Sequence, residues 1–390
     1  MKECVYDVAV LGAGASGLMA SIFCAKNNKK VVLVEKNEKL GKKLLVTGNG
    51  RCNLTNVNIS KEKYNTDMVQ EIFNEISPKS LVSIFDEMGI EIYSDSEGRC
   101  YPLSDSASSV VDAFTQKILS MPIDLKTGSE IVSCEKVSDI FETTLTCGDI
   151  IKSKKIIVAT GGETTRKILK NMQEKFTEPK KVLVGYKCKN FDKSLAGLRV
   201  DADISVNIGD KKFSEKGQVQ FREDGVSGIV IFNASVFVAN NGQLPVKIKL
   251  NLMPKLDKIE FYNKLKTRQK INSYLLVKDF LVSYFHYKLS AYILKRAGIK
   301  NLEKPCLELS ENELKNICDI VYNMQLELVE TSGNAQVNIS GIDEKHLDKL
   351  EVKTCKGMYV CGESAGVYGY CGGYNLAWAF LSGVYCGKRV

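Results

Sequence analysis

Residues 5–35 read VYDVAVL (Val5–Leu11), GAGASG (Gly12–Gly17), LMASIFCAKN (Leu18–Asn27) and, after a short gap, VVLVE (Val31–Glu35). The order is an apolar run short enough for a buried strand, a glycine turn, an amphipathic helix and a second buried strand ending on a carboxylate. The three glycines do different things. Gly12 folds the turn tightly, Gly14 lets backbone approach a pyrophosphate, and Gly17 lets the helix pack on the strand. Ala13, Ala15 and Ser16 complete the turn, and the helix N-terminus aims unpaired N–H groups at phosphate. Glu35 stands where a carboxylate accepts hydrogen bonds from an adenosine ribose, with Lys36 beside it. The pattern predicts a dinucleotide site on a βαβ unit, and by itself it fits FAD and NAD equally.

The next stretch is more specific. Residues 41–56 read GKKLLVTGNGRCNLTN. Glycines at 48 and 50 free the backbone to lie against a flat ring, while Thr47, Asn49, Arg51 and Asn53 offer donors for phosphate and carbonyl oxygens. Lys43, Leu44, Cys52 and Asn56 belong to the same candidate cofactor surface.

On these residues the chain resembles the bacterial BaiN-like, or aminoacetone-oxidase-family, FAD-dependent oxidoreductases. Four segments carry the resemblance: Gly12–Gly17; Gly41–Asn56, against a family GKKLLxSGxGRCNxTN; Ala159–Gly162, a strand ending ATGG; and Gly362–Gly383, a GE…GGYNLxxA…SG segment. The resemblance implies FAD, three domains and redox chemistry. It implies that Val132 lies beside the adenine and that Ala159, Thr160 and Gly161 line the nucleotide. It places Glu363, after Gly362, on the ribityl or phosphate part of FAD. Gly373, Tyr374, Asn375 and Leu376 then open a helix whose positive end faces the flavin.

The chain also departs from that pattern. The glycine- and proline-rich segment that follows ATGG in relatives is absent, and Ile229 stands where GxSGP has proline. Phe221-Arg222-Glu223 replaces FTH. Tyr101 replaces phenylalanine in EGRxFP, and Gly362–Gly369 lacks two aspartates. Any contact that the absent segment makes to flavin or substrate is missing or replaced here, and the two aspartates are missing near the likely pocket.

The fold expected is α/β: a Rossmann-like, glutathione-reductase-type FAD-binding domain from residues 1–181 and 340–390. A β-barrel-like middle domain takes residues 182–254 and 325–339, and a helical domain residues 255–324. Within the first domain, residues 66–89 predict two helices, 90–93 and 99–102 a hairpin, and 109–119 a helix. Three short β segments, 131–137, 141–147 and 150–153, precede the buried strand KIIV, and a short helix is expected over 167–176. The middle domain predicts strands over 182–191, 197–208, 211–221, 228–239 and 244–252, separated by Gly-Asp, Lys-Gly and Asn-Gly turns. Residues 256–328 predict helices with an aromatic-rich stripe.

Composition excludes several classes. With 390 residues there is ample core for two or three domains. Met1-Lys2-Glu3-Cys4 leads straight into the first strand, with no secretion leader, so a cytoplasmic location is expected. The longest apolar run, residues 226–239, is too short and too interrupted to span a membrane. Thirteen cysteines contain no CxxC pair and read as reduced, mostly buried thiols. Two histidines argue against a histidine metal site or a Ser-His-Asp triad; His286 reads as a packed, hydrogen-bonded residue and His346 as surface. The net charge of +8 comes from dispersed lysines and reads as a solvated surface rather than a nucleic-acid interface.

Flavin chemistry with hydride transfer often needs a proton donor as well, and tyrosine suits the reduction of a conjugated enone. Tyr101 and Tyr370 are the candidates, with Tyr368 a third. No second GxGxxG follows a strand, so NADH or NADPH would dock only transiently. By its resemblance to bile-acid enone reductases, the chain is expected to reduce a C=C bond conjugated to a carbonyl in a small or medium organic molecule. Oxidation of a small amine, an RNA-associated flavoprotein and a redox-sensing module remain open.

Overall fold

The computed structural model describes residues 5–333 and 335–390. Met1–Cys4, where a direct run into the first strand is expected, lie outside the described residues. Strand β1 (Val5–Leu11) passes through the glycine turn into α1 (Ala15–Lys26) and then β2 (Val31–Val34). The two strands pair in parallel, Val8 opposite Val31 through Leu11 opposite Val34. Helix α1 is not amphipathic: every residue from Ala15 to Ala25 is buried. A helix apolar all round belongs inside a fold, between layers.

The chain continues through β3 (Thr55–Asn56), α2 (Met68–Glu75), α3 (Ser80–Asp86), the hairpin β4 (Ile92–Ser94) and β5 (Arg99–Pro102), and α4 (Ala107–Leu119). Next come β6 (Ile123–Lys126), β7 (Ile131–Val137), β8 (Ile140–Leu145) and β9 (Ile150–Val158). The short, half-exposed β6 carries no pattern that marks it in the sequence, yet it extends the sheet beside β2. In place of two segments, β9 is one nine-residue strand: its start pairs with β8, and from Lys152 onward it pairs in parallel with β1. Helix α5 (Gly162–Ile168) begins at once after Gly161 (φ +81°), five residues before the expected Lys167.

After β10 (Lys180–Val182) come β11 (Gly185–Cys188), β12 (Arg199–Ile208), β13 (Lys211–Phe221), β14 (Gly225–Ser227), α6 (Ile229–Asn241) and β15 (Val246–Asn251). Then follow α7 (Lys258–Ile271), α8 (Tyr287–Arg296), α9 (Glu311–Asn323) and β16 (Met324–Ser332). Six strands close a barrel in the order β11-β14-β13-β12-β15-β16. The stretch expected as a strand over 228–239 is helix α6. Its Val and Ile residues mimic a strand, but its burial extends around the helix. Gly228 (φ +111°) turns the chain into it, and the helix comes so close to β13 that a Cβ on Gly217 would lie 2.6 Å from Val230.

The expected helix through residues 272–286 is also absent; one 3-10 turn, Val277–Asp279, occupies it. Leu276, Phe280, Leu281 and Phe285 have helical spacing, but the backbone bonds sideways instead, Val277 N–H to the Lys304 carbonyl and Lys278 N–H to Leu302. His286 is an exposed helix N-cap whose Nδ1 accepts from the Lys288 N–H at 3.3 Å, not a packed residue.

The final part contains β17 (Val337–Ile339), β18 (Leu347–Asp348), β19 (Glu351–Val352), β20 (Met358–Val360) and α10 (Tyr374–Arg389). The main sheet runs β18-β19-β20-β9-β1-β2-β6, with β8 and β7 branching from β9. Helices α1 and α10 touch backbone to backbone, since a Cβ on Gly383 would sit 2.3 Å from the Ser16 carbonyl oxygen. Two compact units result: residues Met1–Lys180 with Val337–Val390, and residues Lys181–Gln336, the latter holding both barrel and helices.

Candidate active site

The first unit places the glycine turn between β1 and α1, against the end of β9. Gly12 sits at φ +98°, and a Cβ there would lie 2.8 Å from the Ala159 carbonyl. A Cβ on Gly17 would overlap the Gly12 carbonyl oxygen at 1.8 Å. Gly14 differs: nothing lies within 4 Å of where its Cβ would be. That opening, at an α1 N-terminus with no side-chain cap and no acid in its first turn, is shaped and charged for a pyrophosphate. Ala13, Ala15 and Ser16 are buried around it.

Glu35 closes the other end. Its Oε2 accepts from the Ala13 N–H at 2.8 Å and its Oε1 from the Asn37 N–H at 2.9 Å. A carboxylate has about four acceptor positions, so some remain for ribose hydroxyls. Lys36 is exposed beside it, and Val132 lies exposed on β7.

Residues 47–52 form a loop of left-handed backbone: Gly48 (φ +57°), Asn49 (φ +57°), Gly50 (φ +83°) and Cys52 (φ +61°). At the two non-glycine positions, Asn49 and Cys52, this is strain of the kind that concentrates at ligand sites. Thr47 holds the loop by donating to the Leu44 carbonyl at 2.7 Å. The Leu44 side chain is core, while Leu45 and Val46 next to it are exposed, Val46 to 76%. Burial pushes the Cys52 thiol up to about 11, partly offset by the Thr47 hydroxyl, so it stays protonated and inert.

The same loop anchors the far end of the chain. With its amide oriented to satisfy both ends, Asn53 accepts from the Gly373 N–H at 3.0 Å and donates to the Thr55 carbonyl at 3.0 Å. Asn56 donates to the Gly372 carbonyl at 2.9 Å. The Asn375 amide is used within its own turn, accepting from Gly369 N–H at 2.9 Å and donating to the Gly369 and Tyr370 carbonyls. It shapes the start of α10, beside buried Tyr374 and half-buried Leu376. Lys43 Nζ lies 2.6 Å from Glu363 Oε1, tying the loop to the turn after β20. Gly161 donates to Ser364 Oγ at 3.2 Å, Thr160 meets Thr165 at 2.9 Å, and Gly362 donates to Ser382 Oγ at 2.9 Å. Ser364 and Ser382 carry no sequence signal that distinguishes them from packing serines.

Tyr101 lies on β5 against this loop. A Cβ on Gly48 would be 3.4 Å from Tyr101 Cε1, and the Arg51 guanidinium covers the ring at 4.2 Å. The residue is only 4% exposed, and its hydroxyl is not among the buried polar atoms left without a partner. Burial raises its pKa, with Arg99 and Arg51 pulling the other way, so the phenol is protonated at neutral pH. Tyr370 is half-buried, its N–H donating to the Lys63 carbonyl at 3.0 Å and its ring 5.9 Å from Lys63 Nζ. Tyr368 is buried and held through its N–H by Asn65 Oδ1 at 2.8 Å.

The open Gly14 turn, the Glu35 carboxylate at the end of β2 and the strained loop at the mouth of α10 fit FAD. Together with the parallel sheet, they define an FAD-dependent oxidoreductase with a Rossmann-type coenzyme domain. The chain belongs to the HI0933-like family, whose Rossmann-domain model matches residues 6–389. It is 27% identical over 405 residues to a 3-dehydro-bile acid delta(4,6)-reductase of Clostridium scindens, covering 98% of each chain. It is 24% identical over 406 residues to a ribosomal RNA dihydrouridine synthase of Haemophilus influenzae, covering 98% of this chain and 97% of the relative. The Escherichia coli protein of the same description is 24% identical over 403 residues, with the same coverage.

Proposed function

We propose that this protein reduces a C=C bond conjugated to a carbonyl, with NADH or NADPH as electron source and Tyr101 as proton donor. Bound FAD supplies the hydride chemistry. The substrate gains a hydride at its β carbon and a proton at its α carbon; the proton leaves Tyr101 Oη and is replaced from solvent. The observation that carries this reading is Tyr101 beside the glycine loop, its ring buried under the Arg51 guanidinium and its phenol kept protonated by burial. Its hydroxyl is not among the buried polar atoms left without a partner, so it reaches the surface of the site, where a ligand can meet it. Exposed Leu45 and Val46, and Leu103 two residues past Tyr101, favour an apolar molecule of small or medium size. Tyr370 is the second donor candidate. The twelve free cysteines among the described residues support a reducing compartment such as the cytoplasm.

A second reading keeps the chemistry and changes the carrier. The ribosomal RNA relatives match along the whole chain, and a uracil C5=C6 bond is also conjugated to a carbonyl. RNA binding through phosphates weakens steeply with salt, whereas an apolar substrate is nearly indifferent to it. Anaerobic titration should bleach the flavin with one nicotinamide, and an added enone should restore its colour. No bleaching with either nicotinamide would overturn the reductase reading.

A further inference from the structure

Arg51 is surrounded by an arrangement that the proposed reaction does not by itself require. Its Nη1 lies 3.9 Å from Asp105 Oδ1, and the same oxygen accepts from the Tyr93 hydroxyl at 2.6 Å. Tyr93 faces Tyr101 across the β4–β5 ladder, their ring centroids 6.0 Å apart. Asp105 itself sits at φ +49°, a conformation costly for a residue other than glycine and most tolerable for Asp and Asn. A strained aspartate thus lies between a tyrosine hydroxyl and an arginine, and the arginine sits over the Tyr101 ring.

We propose that Asp105, oriented by Tyr93, is a positioning residue that holds the Arg51 guanidinium over the Tyr101 ring, where its charge offsets the phenolate left when Tyr101 gives up a proton. The proposal rests on Tyr101 as donor. An exposed arginine has many rotamers, and stacking on one aromatic face by itself leaves many of them open. The planar guanidinium gains from stacking on an aromatic face only while it stays there. Asp105 supplies that restraint, and the Tyr93 hydroxyl in turn keeps Asp105 Oδ1 aimed. The other charged or titratable groups near the Tyr101 phenol are Arg99 on its own strand, Asp95 on the β4–β5 turn and Cys371 on the loop before α10. None of them bridges to Arg51 in the way Asp105 does.

The test uses the FAD-loaded protein labelled with ¹³Cζ-tyrosine, the Tyr101 resonance being assigned by its loss in Tyr101→Phe. Asp105→Asn keeps the left-handed backbone and removes the charge; Arg51→Met keeps the apolar stem and removes the cation. Both variants should move the Tyr101 pKa upward by about half a unit or more. They should also lower kcat at neutral pH while KM changes less than about twofold, because the charge is needed only as the proton leaves. A Tyr101 pKa unmoved in Asp105→Asn, whether or not Arg51→Met moves it, would overturn the positioning role. Unchanged kcat in Tyr101→Phe would instead overturn Tyr101 as donor, and the NMR shift would still stand or fall separately.

Discussion

Tyr101 buries its ring beneath the Arg51 guanidinium beside the glycine loop, and burial keeps its phenol protonated. Tyr101→Phe keeps the ring under Arg51 and removes only the proton, so kcat should fall by roughly 10²–10⁴-fold with flavin binding intact. Tyr370→Phe should leave kcat within about threefold. Since only the protonated phenol can donate, kcat should be flat around neutrality and fall as pH rises through the elevated Tyr101 pKa. Asp105→Asn should carry that alkaline limb further upward. Steady-state pH profiles of the three variants check these points. In the sequence Tyr101 is a candidate only through its proximity to the flavin loops, shared with Tyr368 and Tyr370. The Asp105–Arg51 contact is not legible there, because residues 54 apart meet only once the hairpin docks on the glycine loop.

At the scale of elements, the sequence is readable where a local rule has one solution. The GAGASG turn admits one folding, with Gly17 unable to carry a side chain against the Gly12 carbonyl. Reading fails where tertiary burial removes the pattern. Helix α1 is buried along Ala15–Ala25, so it shows no polar stripe, and α6 places Val and Ile around a buried helix that therefore resembles a strand. Around Phe280 the apolar spacing suggests a helix, but the backbone bonds sideways to residues 302–304. The α1–α10 contact gives a test at this scale. Gly383→Ala forces a Cβ against the Ser16 carbonyl and should cost about 1–3 kcal/mol in urea unfolding, with a matching loss of flavin. In the second unit Ser310 and Glu313 form a reciprocal capping box at the start of α9, and Ser310→Ala should cost about 1 kcal/mol without touching flavin content.

On the scale of the whole molecule, the coenzyme site is built from two distant stretches of sequence. Asn53 and Asn56 near the start hold Gly372 and Gly373 near the end, so neither stretch forms the site alone. Removing FAD should lower the melting temperature, and FAD added back at a hundred times its Kd should restore about 2.7 kcal/mol. Among the described residues no helix is long and apolar enough to cross a membrane. The most direct test is a two-step anaerobic stopped-flow experiment: reduce the FAD-loaded protein with NADH or NADPH, then mix it with a conjugated enone. Bleaching in both wild type and Tyr101→Phe, followed by recolouring that is fast in wild type and at least about 100-fold slower in the variant, is the result expected. Equal recolouring rates, or no recolouring by any enone, would contradict the account.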